Sequence, residues 1–237
     1  IIKLFKKFIF SRNFEYGLAG GYYDHKDYFK KNGMDSKRIF VLPMVIDSSR
    51  FKKNIIQLKN PIKYFFIGNF DYPGKNIKFL LDSFIDAYNQ IENIELYLIG
   101  NGKQYKNLQN EYSKYSYIFF VGKINNDKIS NFVKDFHYTI LPSTLEAWGL
   151  VINESFCCGK LALVSKDVGC INDFGKVLKK WMIFDPYDKS SLVKTIIKST
   201  KYKNYLKSVT KANSFIRNEW NYSLYRKNLY SFVESIL

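Results

Sequence analysis

The stretch LPSTLEAWGLVINESFCCGKLALVSKDVG, residues 141–169, decides how the rest of the chain is read. An apolar run breaks at Pro142-Ser143 and turns through a polar loop to Gly149. An apolar helical segment over 150–158 then stops at Gly159, and a second extended run, LALVS, fills 161–165. Strand, loop, helix, glycine stop and strand in that order form one repeat of a parallel β/α arrangement, because parallel neighbours need a crossover between them.

Outward from this stretch the rotation repeats. IKYFFI (62–67) ends at Gly68, and residues 76–88 place Ile77, Leu80, Leu81, Phe84, Ile85 and Tyr88 on one helical face. IELYLI (94–99) closes on Gly100-Asn101-Gly102 and leads into a polar helix. YIFFV (117–121) closes on Gly122, a helix is predicted over 128–136, HYTIL (137–141) is a strand, and WMIF (181–184) is the last. The pattern predicts an α/β fold: a Rossmann-like parallel sheet flanked by helices. Ligands of such sheets sit beyond the carboxyl ends of the strands, so chemistry is expected in the loops after Ile67, Ile99, Val121 and Leu141.

The flanks differ from this core. Residues 1–54 offer a helix-like piece, a strand-like YGLAGG, a helix over 26–31 and an extended IFVLP. That is too little to make a sheet alone, and it reads as the remnant of a second α/β domain with its linker. Residues 55–216 are the ligand-binding domain. In 217–237, Tyr222, Tyr225, Leu229, Phe232, Val233 and Ile236 form an amphipathic helix that needs a partner surface. The start IIKLFKKFIF (1–10) is too short, and lacks the small-residue cleavage site, for a signal peptide. The chain begins with Ile rather than Met and is expected to be trimmed or a piece of a longer protein.

Composition narrows the function classes. The 237 residues are 46% apolar, ample for a buried core, and no run reaches the length of a membrane span. The net charge is +16. Lysine supplies most of the positive charge, since the arginines are only Arg12, Arg38, Arg50, Arg217 and Arg226. A reader of nucleic-acid bases would favour arginine, so nucleic acid is not the expected partner, whereas peripheral contact with an anionic membrane surface is. Cys157, Cys158 and Cys170 form neither a disulfide framework nor a metal spacing and are expected to be buried free thiols.

The decisive stretch also carries the candidate chemistry. Glu146 and Glu154 flank Trp148-Gly149-Leu150-Val151, where Gly149 opens a helix. The free N–H groups of Gly149, Leu150 and Val151, together with the helix dipole, suit a phosphate. Glu146 before them and Glu154 one turn beyond can each accept hydrogen bonds from hydroxyls. Ribose, two phosphates and a hexose follow that linear order in a nucleotide sugar. Lys75, in the loop GNFDYPGKN, faces the same zone and can neutralise a departing diphosphate.

The run Pro-Ser-x-x-Glu-x-Trp-Gly-Leu-Val-x-Asn-Glu, followed by Leu-Val-Ser and Val-Gly-Cys, resembles the donor-binding signature of retaining glycosyltransferases of the family-4 type, which have the two-domain GT-B fold. YFFIGNFDYPGKNIKFLLDSF, LYLIGNGKQYKNL, FFVGKI and YFKKNGMDSKRIFVLPMVIDSSRF resemble its other segments more loosely. The resemblance implies that the chain holds the C-terminal donor-binding domain, part of the N-terminal acceptor-side domain and a C-terminal crossover helix. It implies donor contacts at Gly68, Asn69, Lys75, Lys123, Ile124, Ser143, Glu146, Trp148, Gly149, Leu150, Val151 and Glu154, with Glu146 and Lys75 as the catalytic pair. Glu146 would hold the donor sugar, Glu154 the ribose, and Lys123 and Ile124 the base. It further implies hexose transfer to a glycan or lipid-linked acceptor in cell-envelope polysaccharide biosynthesis, in the cytoplasm or at the inner membrane face. No metal is expected, and these loops contain no Asp-x-Asp pair.

Departures from the family pattern set further expectations. Asn69 stands where the family often has arginine, in a loop one residue longer, so Lys75 must reach from a shifted position. Lys160-Leu161-Ala162 replaces a usual Leu-Pro-Val and is expected to alter only a turn. His25 and His137, the only histidines, are read as structural or solvated. Three rival readings stay open: a donor-binding module or split enzyme that needs a separate N-terminal subunit, a nucleotide-sugar epimerase of similar fold, and a basic nucleic-acid-binding protein. Turnover with and without an upstream domain, deuterium exchange at the sugar, and steeply salt-dependent DNA binding would separate them.

Overall fold

The computed structural model describes residues 15–237, so the basic apolar start at 1–10 lies outside the described residues. Six parallel strands form the main sheet. They are β3 (Ile62–Asn69), β4 (Ile94–Asn101), β5 (Ile118–Gly122), β6 (Tyr138–Leu141), β7 (Leu161–Ser165) and β8 (Ile183–Phe184), in spatial order β5-β4-β3-β6-β7-β8. The chain first builds outward from β3 through β4 to β5. It then returns to the other side of β3 and continues through β6 to β8. The order therefore reverses between β3 and β6, and the loops leaving those two strands diverge around a crevice.

The sheet is buried on both faces, which is why its strands read as near-continuous apolar runs. Along β3, Tyr64 and Phe66 enter the larger core with Leu80, Leu81 and Phe84 of α2 (Ile77–Ile91). Phe65 points the other way, into a smaller core with Ile99, Val133, Phe136 and Cys158. The adjacent thiols Cys157 and Cys158 fall in opposite cores, and all three cysteines are buried and free, as expected.

Between the strands run α3 (Tyr105–Glu111), α4 (Asn126–Phe132) and α5 (Leu150–Cys157). After β8 come α6 (Lys189–Thr200), α7 (Tyr205–Ser214) and a π-helical turn, Phe215–Glu219. Two predicted elements are shorter than expected. The helix read over 128–136 ends at Phe132 with a single 3-10 turn, Val133–Asp135, because Phe136 must be extended to set its ring edge-on against Phe65, 5.7 Å between centroids. Only Ile183 and Phe184 of WMIF pair as a strand. Trp181 and Met182 lie in a 3-10 turn that brings Trp181 against Tyr202, 4.8 Å between centroids.

The N-terminal piece, expected to be too little to make a sheet alone, has a small two-stranded sheet and core of its own. β1 (Gly17–Ala19) and β2 (Ile39–Val41) pair in parallel with α1 (Asp24–Lys31) as their crossover, and Ala19, Met34, Ile39 and Val41 are buried together. The last helix, α8 (Tyr222–Ile236), starts at Asn221, whose side chain caps Ser223 and Leu224. It crosses back to this piece. Asn228 donates to the Val41 carbonyl and the Tyr22 hydroxyl, and Phe232 packs on Phe40 at 4.9 Å. No helix among the described residues is long and apolar enough to cross a membrane.

Candidate functional site

The crevice between β3 and β6 is where the candidate residues meet. β3 ends at Asn69, and the chain then runs through Asp71 and a 3-10 turn, Pro73–Lys75, into α2. After β6 it runs through Ser143 and Glu146 to α5. The two loops are joined by the Thr144 N–H, which donates to the Gly74 carbonyl at 2.8 Å. That bond sets Lys75 against Glu146, and the ammonium donates directly to Glu146 Oε2. Both side chains are mostly covered, at 19% and 18% exposed. Ser143 Oγ, fully buried, lies 3.5 Å from the same carboxylate oxygen.

The loop that carries Glu146 is also fastened to the loop after β7. Glu146 bridges Val168 in parallel, its carbonyl accepts from Gly169 N–H at 3.0 Å, and the Trp148 carbonyl accepts from Cys170 N–H at 3.2 Å. Gly149 then opens α5 in the left-handed region, with φ of 95°. A Cβ there would stand 2.9 Å from Val168 Cγ1 and 3.0 Å from Leu141 Cδ2, so the sharp entry into the helix needs glycine. The Leu150 and Val151 N–H groups of the first turn precede the first bond inside the helix, from Ile152 N–H to the Gly149 carbonyl.

A cavity of about 300 Å³ lies here, lined by Met44, Ile67, Lys75, Glu146 and residues 147–151. It joins a cation, a carboxylate and a free helix N-terminus, a combination suited to a phosphate with hydroxyls beside it. Glu154 sits one turn further along α5. Its carboxylate has no hydrogen-bond or ion-pair partner among the described residues. Burial pushes its pKa above the ordinary value, and the Arg50 guanidinium pulls it part of the way back. A half-buried acceptor of this kind has the capacity to take hydrogen bonds from hydroxyls.

The other candidates are placed differently. Asn69 Oδ1 accepts from Asp71 N–H at 2.8 Å, so its oxygen serves its own loop. Gly68 faces Gly100 in the β3–β4 register, back from the cavity wall. Lys123 and Ile124 follow β5, two strands from β3 and three from β6, at the far end of the same loop face. Trp148 is among the residues that line the cavity, but it is almost fully buried and its indole packs in the core. It stacks on Trp220 at 5.5 Å, meets Phe174 edge-on and donates Nε1–H to Asn153 Oδ1. Met44, which the sequence did not single out, reaches the cavity from the linker. Its carbonyl accepts from Asn153 and Trp220, and nothing in its residue type signals that position.

Lys160 does more than alter a turn. It is fully buried and donates to the Asn54 and Lys134 carbonyls at 2.8 and 2.5 Å, which fixes the linker beneath the sheet. Burial lowers its pKa to about 8. His137 is structural: Nδ1 accepts from Lys63 N–H, Nε2–H donates to the Gln57 carbonyl, and burial lowers its pKa to about 4. Among the described residues, no group of three or more His, Cys, Asp or Glu side chains is gathered as a metal site.

Comparison with known proteins meets the same segment. Protein CapJ of Staphylococcus aureus is 29% identical over 179 residues, 73% of this chain and 43% of its own length. The chain spans less than half the length of the curated relatives it matches. Sucrose-phosphate synthase from Thermosynechococcus elongatus has the same fold, with a TM-score of 0.78 at 17% identity, over 99% of this chain and 61% of that one. So does HepE from Anabaena in complex with UDP, with a TM-score of 0.77 at 14% identity, over 93% and 64%. The expected Rossmann-like domain of a GT-B protein is the fold found. The family model described as glycosyl transferases group 1 matches residues 47–215, well over half of the chain, and the chain belongs to that family.

Proposed function

We propose that this chain is the donor-binding part of a retaining hexosyltransferase that uses a nucleotide diphosphate sugar. One observation carries the reading. Lys75 and Glu146 converge beside the free N–H groups of α5, at the point where the strand order reverses. The diphosphate would lie on the Leu150 and Val151 N–H groups. Lys75 would leave Glu146 for the distal phosphate, and Glu146 would turn its freed oxygens to the hexose hydroxyls. As the sugar–phosphate bond breaks, negative charge grows on the leaving oxygen, where Lys75 and the helix terminus can take it up without a metal. Glu154 would accept from the ribose diol, and the backbone of Lys123 and Ile124 would border the base. The similar fold of HepE holds UDP, which supports a uridine nucleotide as the first ligand to test.

The acceptor is proposed to be a cell-surface glycan or glycolipid. The basic surface is suited to peripheral contact with anionic headgroups at the inner membrane face. The acceptor pocket would come from an N-terminal sheet larger than β1 and β2, on the same polypeptide or a separate subunit. Calorimetry with UDP tests the core of the reading. Glu154→Ala weakens nucleotide binding by about 1–3 kcal/mol through loss of charge-assisted hydrogen bonds. Unchanged affinity in that variant would sink the assignment.

A further inference from the structure

We infer that His25, on the N-terminal piece, is a positioning residue for the sugar-gripping loop of the donor site. His25 lies 122 residues from Ala147 in sequence, yet its Nε2 sits 2.5 Å from the Ala147 carbonyl. A carbonyl only accepts, so the ring donates Nε2–H. The imidazole fills a socket built to its size. A Cβ on Gly20 would come within 2.8 Å of Nδ1, a Cβ on Gly169 would come within 3.1 Å of Nε2, and the Trp148 indole meets the ring edge-on at 5.5 Å.

The carbonyl that His25 holds is the telling part. Three successive carbonyls run through the loop. Those of Glu146 and Trp148 accept from the backbone after β7. The carbonyl of Ala147, between them, points to His25. Residues 146–148 are thus held from both sides, and only on the His25 side is the holder a side chain. This backbone sets the direction of the Glu146 carboxylate.

The start of α1 is anchored independently of the histidine, so the ring is presented from a fixed base. Tyr22 N–H donates to Asp173 Oδ1 at 2.6 Å, and Asn172 Nδ2 donates to Asp24 at 2.9–3.0 Å. Asp173 is 8% exposed and lies at the N-terminal end of α1, where its charge faces the helix dipole. With the base fixed, removing the imidazole frees the Ala147 peptide without undocking α1.

The inference rests on the proposal that Glu146 holds the hexose while α5 and Glu154 hold the nucleotide, and it makes a selective prediction. In His25→Ala, UDP affinity shifts less than two-fold, while any UDP-sugar bound by the wild-type chain is weakened five- to ten-fold. His25→Gln, whose amide can donate from the place of Nε2, restores most of the loss. Equal weakening of UDP and UDP-sugar, or none, overturns the inference. Amide hydrogen exchange of the ligand-free chain reads the same contact without a ligand. Exchange at Gly169 and Cys170, whose N–H groups bond the loop, accelerates about ten-fold in His25→Ala, and unchanged exchange overturns the inference. A wild-type chain that binds neither UDP nor GDP counts against the donor-site reading, and the exchange result then decides the role of His25 by itself.

Discussion

The two ends of the parallel sheet handle buried charge in opposite ways. At the carboxyl end, Lys75 is held by one carboxylate at the edge of a cavity, and Glu154 has no partner. At the amino end, Lys160 and His137 are just as deep, but backbone groups satisfy them. Lys160 has the Asn54 and Lys134 carbonyls, and His137 has Lys63 N–H and the Gln57 carbonyl. Arg217 extends this pattern along the linker: its terminal nitrogens donate to the Ser48, Phe51 and Cys157 carbonyls, and only its Nε–H is buried without a partner among the described residues. A charge saturated by main chain cannot exchange its partner without opening the fold. A charge held by one side chain, or by none, can exchange it for a ligand. Under the proposed function, stability belongs to one end and binding to the other, and substitutions should separate the two.

The largest effect is expected at Lys160. Lys160→Ala removes a buried stem and leaves two carbonyls without their donor, at a cost of about 3–4 kcal/mol in urea unfolding. Nucleotide affinity of the folded fraction should stay within about two-fold. A loss below 1 kcal/mol would erase the distinction between the two ends. Next comes the acid limb of stability. His137 ionises near 4 when folded and near 6.5 as a free side chain, so between those values the unfolded chain binds the extra proton. Stability is full above 6.5 and falls by about 2–3 kcal/mol as pH drops to 4. The buried carboxyls of Glu154 and Asp173, raised above their ordinary values, act with the opposite sign. The difference between wild type and His137→Gln isolates the histidine, and the variant should lose most of the slope in that window.

The division also explains what the sequence disclosed. The strand runs, the glycine stops and the Glu146–Glu154 spacing are local patterns set by periodicity and turn chemistry, so the sheet and the carboxyl-end loops were legible. The Lys75–Glu146 pair was legible as two residues near one ligand, but not as an ion pair. That needs the Thr144-to-Gly74 bond, which joins loops 70 residues apart. Lys160 is expected only to alter a turn, because nothing local to a lysine after a glycine stop signals burial. Its burial follows from the linker lying across it, a contact more than 100 residues distant in sequence. The indole packing of Trp148 is equally hidden from local sequence, because its stacking partner, Trp220, comes from the far end of the chain.

At the carboxyl end the effects should appear in binding first. Lys75→Met weakens UDP by about 1–2 kcal/mol, through the loss of one charge-assisted contact to the diphosphate. UMP, which lacks the distal phosphate, should be nearly unaffected. Because the pair with Glu146 is partly open to solvent, the same substitution costs less than about 1 kcal/mol of stability. Equal losses for UDP and UMP would place Lys75 elsewhere than on the distal phosphate.

The smallest effect is the most diagnostic, because its sign reverses between stability and binding. Glu154 is a half-buried carboxylate with no hydrogen-bond partner among the described residues; burial raises its pKa, and the Arg50 guanidinium offsets this only in part. Glu154→Gln keeps the shape and removes the charge. Unfolding at pH 7 should therefore show a gain of about 0.5 kcal/mol, while UDP binding weakens. The gain should shrink as pH falls and the wild-type carboxyl takes up a proton in the fold. A structural glutamate would lose stability on this substitution. Only a residue kept unsatisfied for a ligand should gain stability as it loses affinity, and thermal melts with and without UDP would show both changes in one experiment.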